Sequence, residues 1–192
     1  KENILTSGQA CGMFLKEKKK NPICYVVGTS ALKKELESYG VIICDEKVQS
    51  PDFLVVGYDT ELEYKKLEKA CQLLNENVPF IATNCDLVCP MGKESFLPDC
   101  GLFCHMLTVA TKKQPYYIGK PNPDMINFLL NKYSIEKNKA IMIGDRIYTD
   151  IASGINAQIN TALVLSGECT IEDLEKSNIK PTIVVQSVKD FL

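Results

Sequence analysis

Short apolar runs alternate along this chain with longer segments whose apolar residues recur at helical spacing. The runs at residues 23–27, 79–83 and 140–143 are typical of buried strands, and each is followed by glycine or a polar residue. The segment at residues 61–75 instead places leucine and alanine on one face of a helix. Because strands that alternate with helices form mostly parallel sheets, the sequence predicts an α/β fold.

The remaining elements follow the same alternation. Further strands are predicted at residues 41–44, 52–57, 115–118, 162–165 and 183–185, and further helices begin near Thr6, Ser30, Asp99, Met125, Thr170 and Ser187. Residues 87–97 have few periodic cues and contain Pro90 and Gly92, so this segment is interpreted as a loop. Loops of this length are often functional.

The strongest functional signal follows the apolar run at residues 140–143. The run ends in Gly144-Asp145, and Thr149-Asp150 then precede a new apolar pattern, which predicts a strand, a short loop and a helix capped by Thr149 and Asp150. Ligands bind beyond the carboxyl ends of strands in open parallel sheets, so Asp145 is expected to handle a metal or a phosphate. Two carboxylates here, with Gly144 allowing a ligand to approach, suit Mg²⁺. The alternative for Asp150 is a plain helix cap.

Lys120 is the second candidate for chemistry. It lies in Gly-Lys-Pro-Asn-Pro at residues 119–123, after a predicted strand and before a helix start. That placement would direct its ammonium toward the same sheet edge as Asp145, where it would neutralise a phosphoryl oxygen. The alternative is a solvated lysine in a turn. The glycine spacing of a P-loop is absent, so binding of a nucleoside triphosphate by that route is not supported.

Composition excludes several classes of function. A net charge of -2 and a sequence pI near 5.6 give no field that would hold nucleic acid or an acidic membrane. No apolar run is long enough to span a bilayer, and the N-terminus lacks the layout of a signal peptide, so a soluble cytoplasmic protein is expected.

The nine cysteines are scattered and odd in number, which favours free thiols in a reducing cytosol over a disulfide framework. Cys85, Cys89, Cys100 and Cys104 could be drawn as a zinc site. Zinc is the weaker interpretation, because each pair is separated by three residues and Cys104 fits a helix face.

Three motifs occur in a specific order in the C-terminal part of the chain. They are Gly-Lys-Pro-Asn-Pro at residues 119–123, Gly-Asp-Arg-Ile-Tyr-Thr-Asp-Ile at 144–151 and Thr-Ala-Leu-Val-Leu-Ser-Gly at 161–167. In this order they resemble the haloacid dehalogenase (HAD) superfamily of phosphatases. The match is to subfamily IIA, the p-nitrophenyl-phosphatase and ribonucleotide monophosphatase (NagD-like) branch. Upstream pieces at residues 25–28, 55–59 and 80–86 resemble the cap domain of that branch.

The resemblance implies an architecture. It implies a Rossmann-like HAD core, of which this chain holds the C-terminal part, and a large α/β cap of the C2 type. The expected boundaries are residues 1–7 for the end of an N-terminal core remnant, 8–113 for the cap and 114–192 for the core.

The resemblance also implies roles for individual residues. Lys120 would stabilise the phosphoryl group and the attacking carboxylate. Asp145 would ligate Mg²⁺, and Asp150 would support the metal shell or its waters. Asn84 and Asp86 would belong to the substrate-specificity element of the cap, although turn chemistry after a strand is a competing explanation.

One motif of the family has no counterpart in this sequence. The reaction begins at an Asp-x-Asp motif, whose first aspartate attacks phosphorus, and no Asp-x-Asp occurs in these residues. The chain given is therefore expected to lack its nucleophile and to be inactive by itself. The expected explanation is that an N-terminal core strand precedes it in the parent enzyme, because without that strand the one carrying Asp145 becomes an unpaired edge.

The predicted function is Mg²⁺-dependent hydrolysis of a phosphate monoester through an aspartyl-phosphate. The substrate would be a small phosphorylated metabolite or nucleotide, with p-nitrophenyl phosphate as an artificial one, and a homodimer is possible within the branch. The alternative is a non-catalytic HAD-like module that binds a phosphorylated ligand or a protein. A response-regulator-like domain is disfavoured, because one compact domain does not account for residues 8–113.

Overall fold

The computed structural model describes residues 3–92 and 95–191, which form two compact units that divide between Ile118 and Gly119. The sequence analysis places the division between residues 113 and 114. The compact units divide later because the short strand Tyr116–Tyr117 pairs with the sheet of the first unit.

The first unit contains four helices and seven strands within its described residues. The helices are α1 (Ser7–Lys18), α2 (Ser30–Ser38), α3 (Tyr64–Asn75) and α4 (Cys100–Thr111). The strands are β1 (Ile23–Val27), β2 (Ile42–Ile43), β3 (Phe53–Val56), β4 (Phe80–Ala82), β5 (Val88–Gly92), β6 (Ser95–Pro98) and β7 (Tyr116–Tyr117). Five strands form a parallel sheet in the order β2-β1-β3-β4-β7.

Threonine hydroxyls cap the first two helices of this unit. The hydroxyl of Thr6 accepts a hydrogen bond from the Gln9 amide, and the Gln9 side chain accepts one from the Thr6 amide, so α1 begins with a capping box. The cap of α2 is Thr29 rather than the predicted Ser30, since the Thr29 hydroxyl accepts from the Leu32 amide. The Ser30 amide and hydroxyl instead donate to Glu61.

The core of the first unit lies between its sheet and helices α3 and α4. Side chains from both layers are fully or almost fully buried, among them Leu54, Val56, Leu73, Leu74, Phe103 and Leu107. All nine cysteines are free thiols. Cys100 and Cys104 lie one turn apart on α4 with their Sγ atoms 3.9 Å apart. Among the described residues, no group of three acidic, histidine or cysteine side chains is placed to hold a metal.

The prediction of a loop at residues 87–97 is wrong. Strands β5 and β6 form an antiparallel hairpin, with an irregular register between Pro90 and Gly92. Nearly all residues of both strands are exposed, so no alternation of apolar and polar residues marks them in the sequence. Backbone pairing across the hairpin, rather than burial, makes this segment extended.

The second unit is a smaller α/β layer. Its strands β8 (Ile141–Gly144), β9 (Asn160–Val164) and β10 (Ile183–Val185) form a parallel sheet in the order β10-β9-β8. Its α-helices are α5 (Asp124–Tyr133), α6 (Ala152–Asn156) and α7 (Ile171–Lys176), and 3₁₀ turns cover Lys137–Lys139 and Val188–Phe191. The predicted last helix over residues 187–192 is thus a 3₁₀ turn, with residue 192 outside the described part.

Strand β8 lies at the edge of this sheet. It pairs with β9 on one side, and no strand in residues 3–92 or 95–191 pairs with its other side. Ile141 at its start is 44% exposed although it is large and apolar. An apolar strand with an open side is a ready template for pairing with another strand.

The turn after β8 departs from the predicted loop and capped helix. Residues Ile147–Ile151 form a π-helical turn that runs directly into α6. Two successive amides, those of Asp150 and Ile151, donate to the Arg146 carbonyl, which widens the turn. Single π turns of this kind are frequent at functional sites. The helix therefore begins before Thr149 and Asp150, which do not cap it.

The longest of the described helices have 12 residues, whereas a membrane-spanning helix needs about 20. Within the described part of the chain, none of them is both long enough and apolar enough to cross a membrane.

Candidate active site

A lysine and an aspartate from separate segments meet in the second unit. Lys120 Nζ lies 2.5 Å from Asp150 Oδ1. The Asp150 side chain is 7% exposed, whereas the Lys120 side chain remains 44% exposed. The other oxygen of Asp150 accepts a hydrogen bond from the Arg146 amide at 3.2 Å. Asp150 is therefore a buried carboxylate with charged and polar partners, and it holds an ammonium that solvent reaches.

The segment that carries Lys120 is attached to α6. The side-chain amide of Asn156, at the end of α6, donates to the Pro121 carbonyl at 2.9 Å. The peptide bond between Lys120 and Pro121 is cis. Helix α5 begins at Asp124, four residues after Lys120, and a carboxylate in the first turn suits the helix dipole.

Gly144 is required by Asp150 rather than by a ligand. A Cβ atom at this position would overlap the Cβ and carboxylate of Asp150. The predicted close approach at the end of β8 is thus real, but the group that approaches is the Asp150 side chain. Glycine at the strand end lets Asp150 fold back over the sheet and face Lys120.

Asp145 follows β8 and is tied to the loop after β9. Its Oδ2 atom accepts a hydrogen bond from the Glu168 amide at 2.8 Å, and its carbonyl accepts one from the Cys169 amide at 3.1 Å. A Cβ atom at Gly167 would overlap the Asp145 carboxylate, so the two loops approach as closely as glycine allows. The carboxylate is consequently fixed by backbone groups, which constrains where it points.

A cleft of about 310 Å³ opens beside Asp145 within this unit. Its lining combines acidic, hydroxyl and apolar side chains, namely Asp145, Arg146, Ile147, Tyr148, Glu168, Cys169, Asp173, Ser177 and Ile179. Burial raises the pKa of the Cys169 thiol above its ordinary value of 9.0, and nearby carboxylates add to the effect, so the thiol is protonated and a poor nucleophile at neutral pH.

The donor set partly fits Mg²⁺. Asp145 offers hard carboxylate oxygens at the end of a strand, which is the ligand type that Mg²⁺ takes while keeping several waters. Asp150 already accepts a hydrogen bond on each oxygen, from Lys120 and from the Arg146 amide, so it is better placed to hold the lysine than to bind a metal directly. The described residues thus supply one clear carboxylate ligand and a supporting partner.

Thr149, on the turn between Asp145 and Asp150, has a buried hydroxyl without a hydrogen-bond partner among the described residues. Its Oγ1 is the one buried side-chain nitrogen or oxygen in the described chain that has no hydrogen-bond partner. A buried hydroxyl without a partner costs free energy. The Thr149 hydroxyl therefore has a hydrogen-bonding capacity that the described residues do not use.

Comparisons with known proteins agree on one family. A family model described as HAD-hydrolase-like matches residues 117–191. The chain is 36% identical over 190 residues to the dihydroxyacetone phosphatase of Corynebacterium glutamicum, which covers 99% of this chain and 68% of that protein. It is 33% identical over 186 residues to the ribonucleotide monophosphatase NagD of Escherichia coli, covering 97% and 71%.

Solved structures give the same result. The crystal structure of 4-nitrophenylphosphatase from Thermotoga maritima aligns with a TM-score of 0.89 and 38% identity, over 97% of this chain and 70% of that one. The NagD structure from E. coli aligns with a TM-score of 0.86 and 33% identity. The chain belongs to the HAD superfamily of hydrolases. Within that superfamily it is a member of the NagD-like phosphatase branch, as the motifs predict.

The NagD-like chain carries Asn84 and Asp86 in its first unit. The Asn84 amide nitrogen lies 3.1 Å from Asp86 Oδ2 and 3.4 Å from Asp99 Oδ1, so it links the end of β4 to the start of α4. Gly101 is needed here, because a Cβ atom would overlap the carbonyls of residues 85 and 86. Turn chemistry therefore accounts for much of this cluster, as the competing explanation holds.

Several predicted site residues of this HAD chain meet, and others do not. Lys120 and Asp150 form an ion pair, and Asp145 lies on the same turn as Asp150, whereas Asn84 and Asp86 belong to the other unit. Glu168, which the sequence does not predict as a site residue, contacts both Asp145 and Arg146. The available signal was its position directly after Ser166-Gly167, at the end of the strand that neighbours β8.

Proposed function

We propose that this protein hydrolyses phosphate monoesters with the help of Mg²⁺. The observation that carries the proposal is the Lys120–Asp150 ion pair on the turn that begins with Asp145, in a chain of the HAD superfamily. An ammonium held by a buried carboxylate, next to a second carboxylate at a strand end, suits a transferring phosphoryl group and its counter-ion.

Lys120 would stabilise the charge of the phosphoryl group. Its ammonium is held by the Asp150 carboxylate. The lysine side chain is still partly exposed, so the ammonium can also contact a bound anion. Preorganised charge of this type needs no rearrangement as negative charge develops on the equatorial oxygens. Asp150 acts through Lys120, since its own carboxylate is buried and already accepts two hydrogen bonds.

Asp145 would hold Mg²⁺, and Asp150 would support the outer part of the metal shell. When bound, Mg²⁺ supplies charge neutralisation and orientation of the phosphate. The Glu168 amide fixes one oxygen of Asp145, which limits the directions in which the carboxylate can present its lone pairs.

The attacking carboxylate is proposed to lie outside this sequence, which contains no Asp-x-Asp. The open side of β8 supports that proposal, because a parallel strand added there would end beside Asp145. Its aspartate would attack phosphorus, the ester oxygen would leave with a proton, and water would hydrolyse the aspartyl-phosphate. By this proposal the 192 residues alone do not turn over substrate.

The substrate is proposed to be a small phosphorylated metabolite or nucleotide. The printed names of the relatives range from dihydroxyacetone phosphatase to acid sugar phosphatase and 5'-nucleotidase, so they support the ester class rather than one compound. We propose that residues 8–113 form a cap in which Asn84 and Asp86 belong to the substrate-specificity element, and that residues 114–192 belong to the core. A cytoplasmic location and a homodimer stay predictions.

A second candidate is a non-catalytic module that binds a phosphorylated ligand. The observation in its favour is again the lack of Asp-x-Asp in this sequence, combined with an intact Lys120–Asp150 pair. Such a module would bind phosphate esters without consuming them.

Steady-state hydrolysis of p-nitrophenyl phosphate by the full-length protein, titrated with MgCl₂, tests the proposal. The wild type should depend on Mg²⁺, and Asp145→Asn should weaken that dependence while its amide oxygen still accepts from Glu168. The control is Asp45→Asn, an aspartate in a turn of the first unit. An unchanged Mg²⁺ titration in Asp145→Asn would remove that residue from the metal site. Ligand binding without hydrolysis would favour the second candidate.

A further inference from the structure

The carboxylate of Glu168 bridges two side chains of the turn after β8. Its Oε2 atom lies 2.7 Å from Arg146 Nε, and its Oε1 atom accepts a hydrogen bond from the Tyr148 hydroxyl at 2.9 Å. Each oxygen thus has its own partner, and the two partners are two residues apart. Arg146 is the single arginine of the sequence, and its planar guanidinium gives a directional contact that a lysine would not.

The backbone of the same residue reaches Asp145. The Glu168 amide donates to Asp145 Oδ2 at 2.8 Å, and the next amide, that of Cys169, donates to the Asp145 carbonyl at 3.1 Å. Gly167 leaves no room for a Cβ atom against the Asp145 carboxylate. One short segment therefore contacts the side chains of Asp145, Arg146 and Tyr148.

These contacts are too exposed to contribute much stability. The Glu168 side chain is 49% exposed and that of Arg146 is 31% exposed, and ion pairs of this kind contribute little to the free energy of unfolding. Their geometric effect is larger, because they hold two residues of the turn directly after Asp145. A supporting contact of a metal-ligating carboxylate affects metal affinity even where it hardly affects folding.

We propose that Glu168 is a positioning residue that acts through Arg146 and Tyr148 to hold residues 145–148 in the conformation that presents Asp145. The expected effect of Glu168 on Mg²⁺ binding rests on the proposed function. The structural part of the inference, the restraint of the turn by Glu168, does not depend on catalysis. The two parts call for separate measurements.

Amide hydrogen exchange of the full-length protein, without metal or substrate, measures the restraint directly. In Glu168→Ala, the amides of residues 145–151 should exchange several-fold faster than in the wild type, with the rest of the second unit unchanged. The matched control is Glu172→Ala, which removes a glutamate from an exposed helical ion pair with Lys176. Equal exchange in Glu168→Ala and the wild type would overturn the proposal.

A mutant cycle shows whether Glu168 acts through its two partners. Glu168→Ala should accelerate exchange, whereas adding it to Arg146→Ala/Tyr148→Phe should have no further effect. Glu168→Gln should be intermediate, because its carbonyl oxygen replaces one carboxylate acceptor while its NH2 group, a donor, replaces the other. Fully additive effects would overturn the assigned route through Arg146 and Tyr148.

Calorimetric titration of the same variants with MgCl₂ tests the consequence for the metal. Glu168→Ala should bind Mg²⁺ about 10-fold more weakly than the wild type, and Glu172→Ala should match the wild type. Equal Mg²⁺ affinity in Glu168→Ala and the wild type would overturn the positioning role toward Asp145. If the wild type itself binds no Mg²⁺, the proposed function fails while the exchange result still decides the restraint.

Discussion

Lys120 Nζ and Asp150 Oδ1 lie 2.5 Å apart across a sequence separation of 30 residues. One partner stands in a turn before α5, and the other stands in the π-helical turn after β8. The carboxylate is buried and the ammonium is half-exposed, so the pair has one member enclosed by protein and one that solvent reaches. This asymmetry allows its structural and catalytic contributions to be separated by mutation.

Lys120→Met should abolish most turnover and cost some stability. The variant keeps the apolar stem but leaves the buried Asp150 carboxylate without its cation, which should lower the free energy of unfolding by about 1–2 kcal/mol. Loss of the preorganised charge should lower kcat by about 100- to 1,000-fold. Urea unfolding and steady-state hydrolysis of p-nitrophenyl phosphate by the full-length protein measure the two effects.

The double variant Lys120→Met/Asp150→Asn is the control for this experiment. Removing the buried charge along with its partner should recover stability, because an amide is less costly to bury than an unpaired carboxylate. Activity should stay low. Near-normal kcat in Lys120→Met would contradict the catalytic role, and a double variant less stable than the single one would contradict the account of Asp150.

The sequence predicted that Lys120 and the turn after β8 come together, but not the contacts that they make. Strand ends are visible because apolar runs stop at Gly144-Asp145 and before Lys120, and parallel strands bring such ends to one edge. The ion pair with Asp150 depends on a π turn, whose defining feature is two amides sharing the Arg146 carbonyl. No residue pattern encodes that sharing, so Asp150 was interpreted as a cap or a metal ligand.

Other features were invisible for different reasons. The hairpin at β5 and β6 is exposed on both faces, so it carries no periodicity, and Pro90 argued against a strand. Glu168 was missed because exposed glutamates are common and its partners come from a separate strand end. The cap at Thr6 was predicted correctly because a capping box involves residues three apart, which a sequence displays directly.

Gly144→Ala should damage both stability and turnover. The added Cβ atom would overlap the Cβ and carboxylate of Asp150, a residue that is 5% exposed and has little room to move. Overpacking of this kind costs about 1–3 kcal/mol. Since Asp150 holds Lys120, kcat should fall with stability. Chemical unfolding and kinetics of the full-length variant measure both, and a variant with wild-type values of each would refute the role given to this glycine.

Gly167→Ala should instead act on Asp145. The added Cβ atom would overlap the Asp145 carboxylate, but residue 167 is exposed and its loop can move, so stability should change by less than about 1 kcal/mol. The Mg²⁺ concentration that gives half-maximal activity should rise about 10-fold. Ser166→Ala, in the same turn, is the control. If Gly167→Ala and Ser166→Ala have the same Mg²⁺ titration, the contact between this loop and Asp145 has no functional effect.

Asn84→Ala should raise KM for the physiological ester more than it lowers kcat. The Asn84 amide lies between the carboxylates of Asp86 and Asp99, so its removal leaves two like charges without their shared donor and loosens the turn. Kinetics with several phosphate esters would show the change, with Gln72→Ala on the exposed face of α3 as control. An identical change in KM for every ester would indicate a general effect on the turn rather than on specificity.

The start of α7 provides a pH-dependent prediction. Two hydrogen bonds hold the pKa of the Asp173 carboxyl below its ordinary value of 3.8. The larger effect comes from the Thr170 hydroxyl and the smaller one from the Thr170 amide. A pKa that is depressed in the folded state stabilises the fold above the unfolded-state pKa, and this contribution is lost as pH falls through the folded-state pKa. Thr170→Val removes the hydroxyl, so the Asp173 pKa should rise toward 3.8. The stability difference between Thr170→Val and the wild type should shrink as the solution is acidified below that value.

Carbon-13 NMR titration of Asp173 checks the shift, and Thr170→Ser, which keeps a hydroxyl, should retain the low pKa. A pKa unchanged by Thr170→Val would show that the hydroxyl is not its cause.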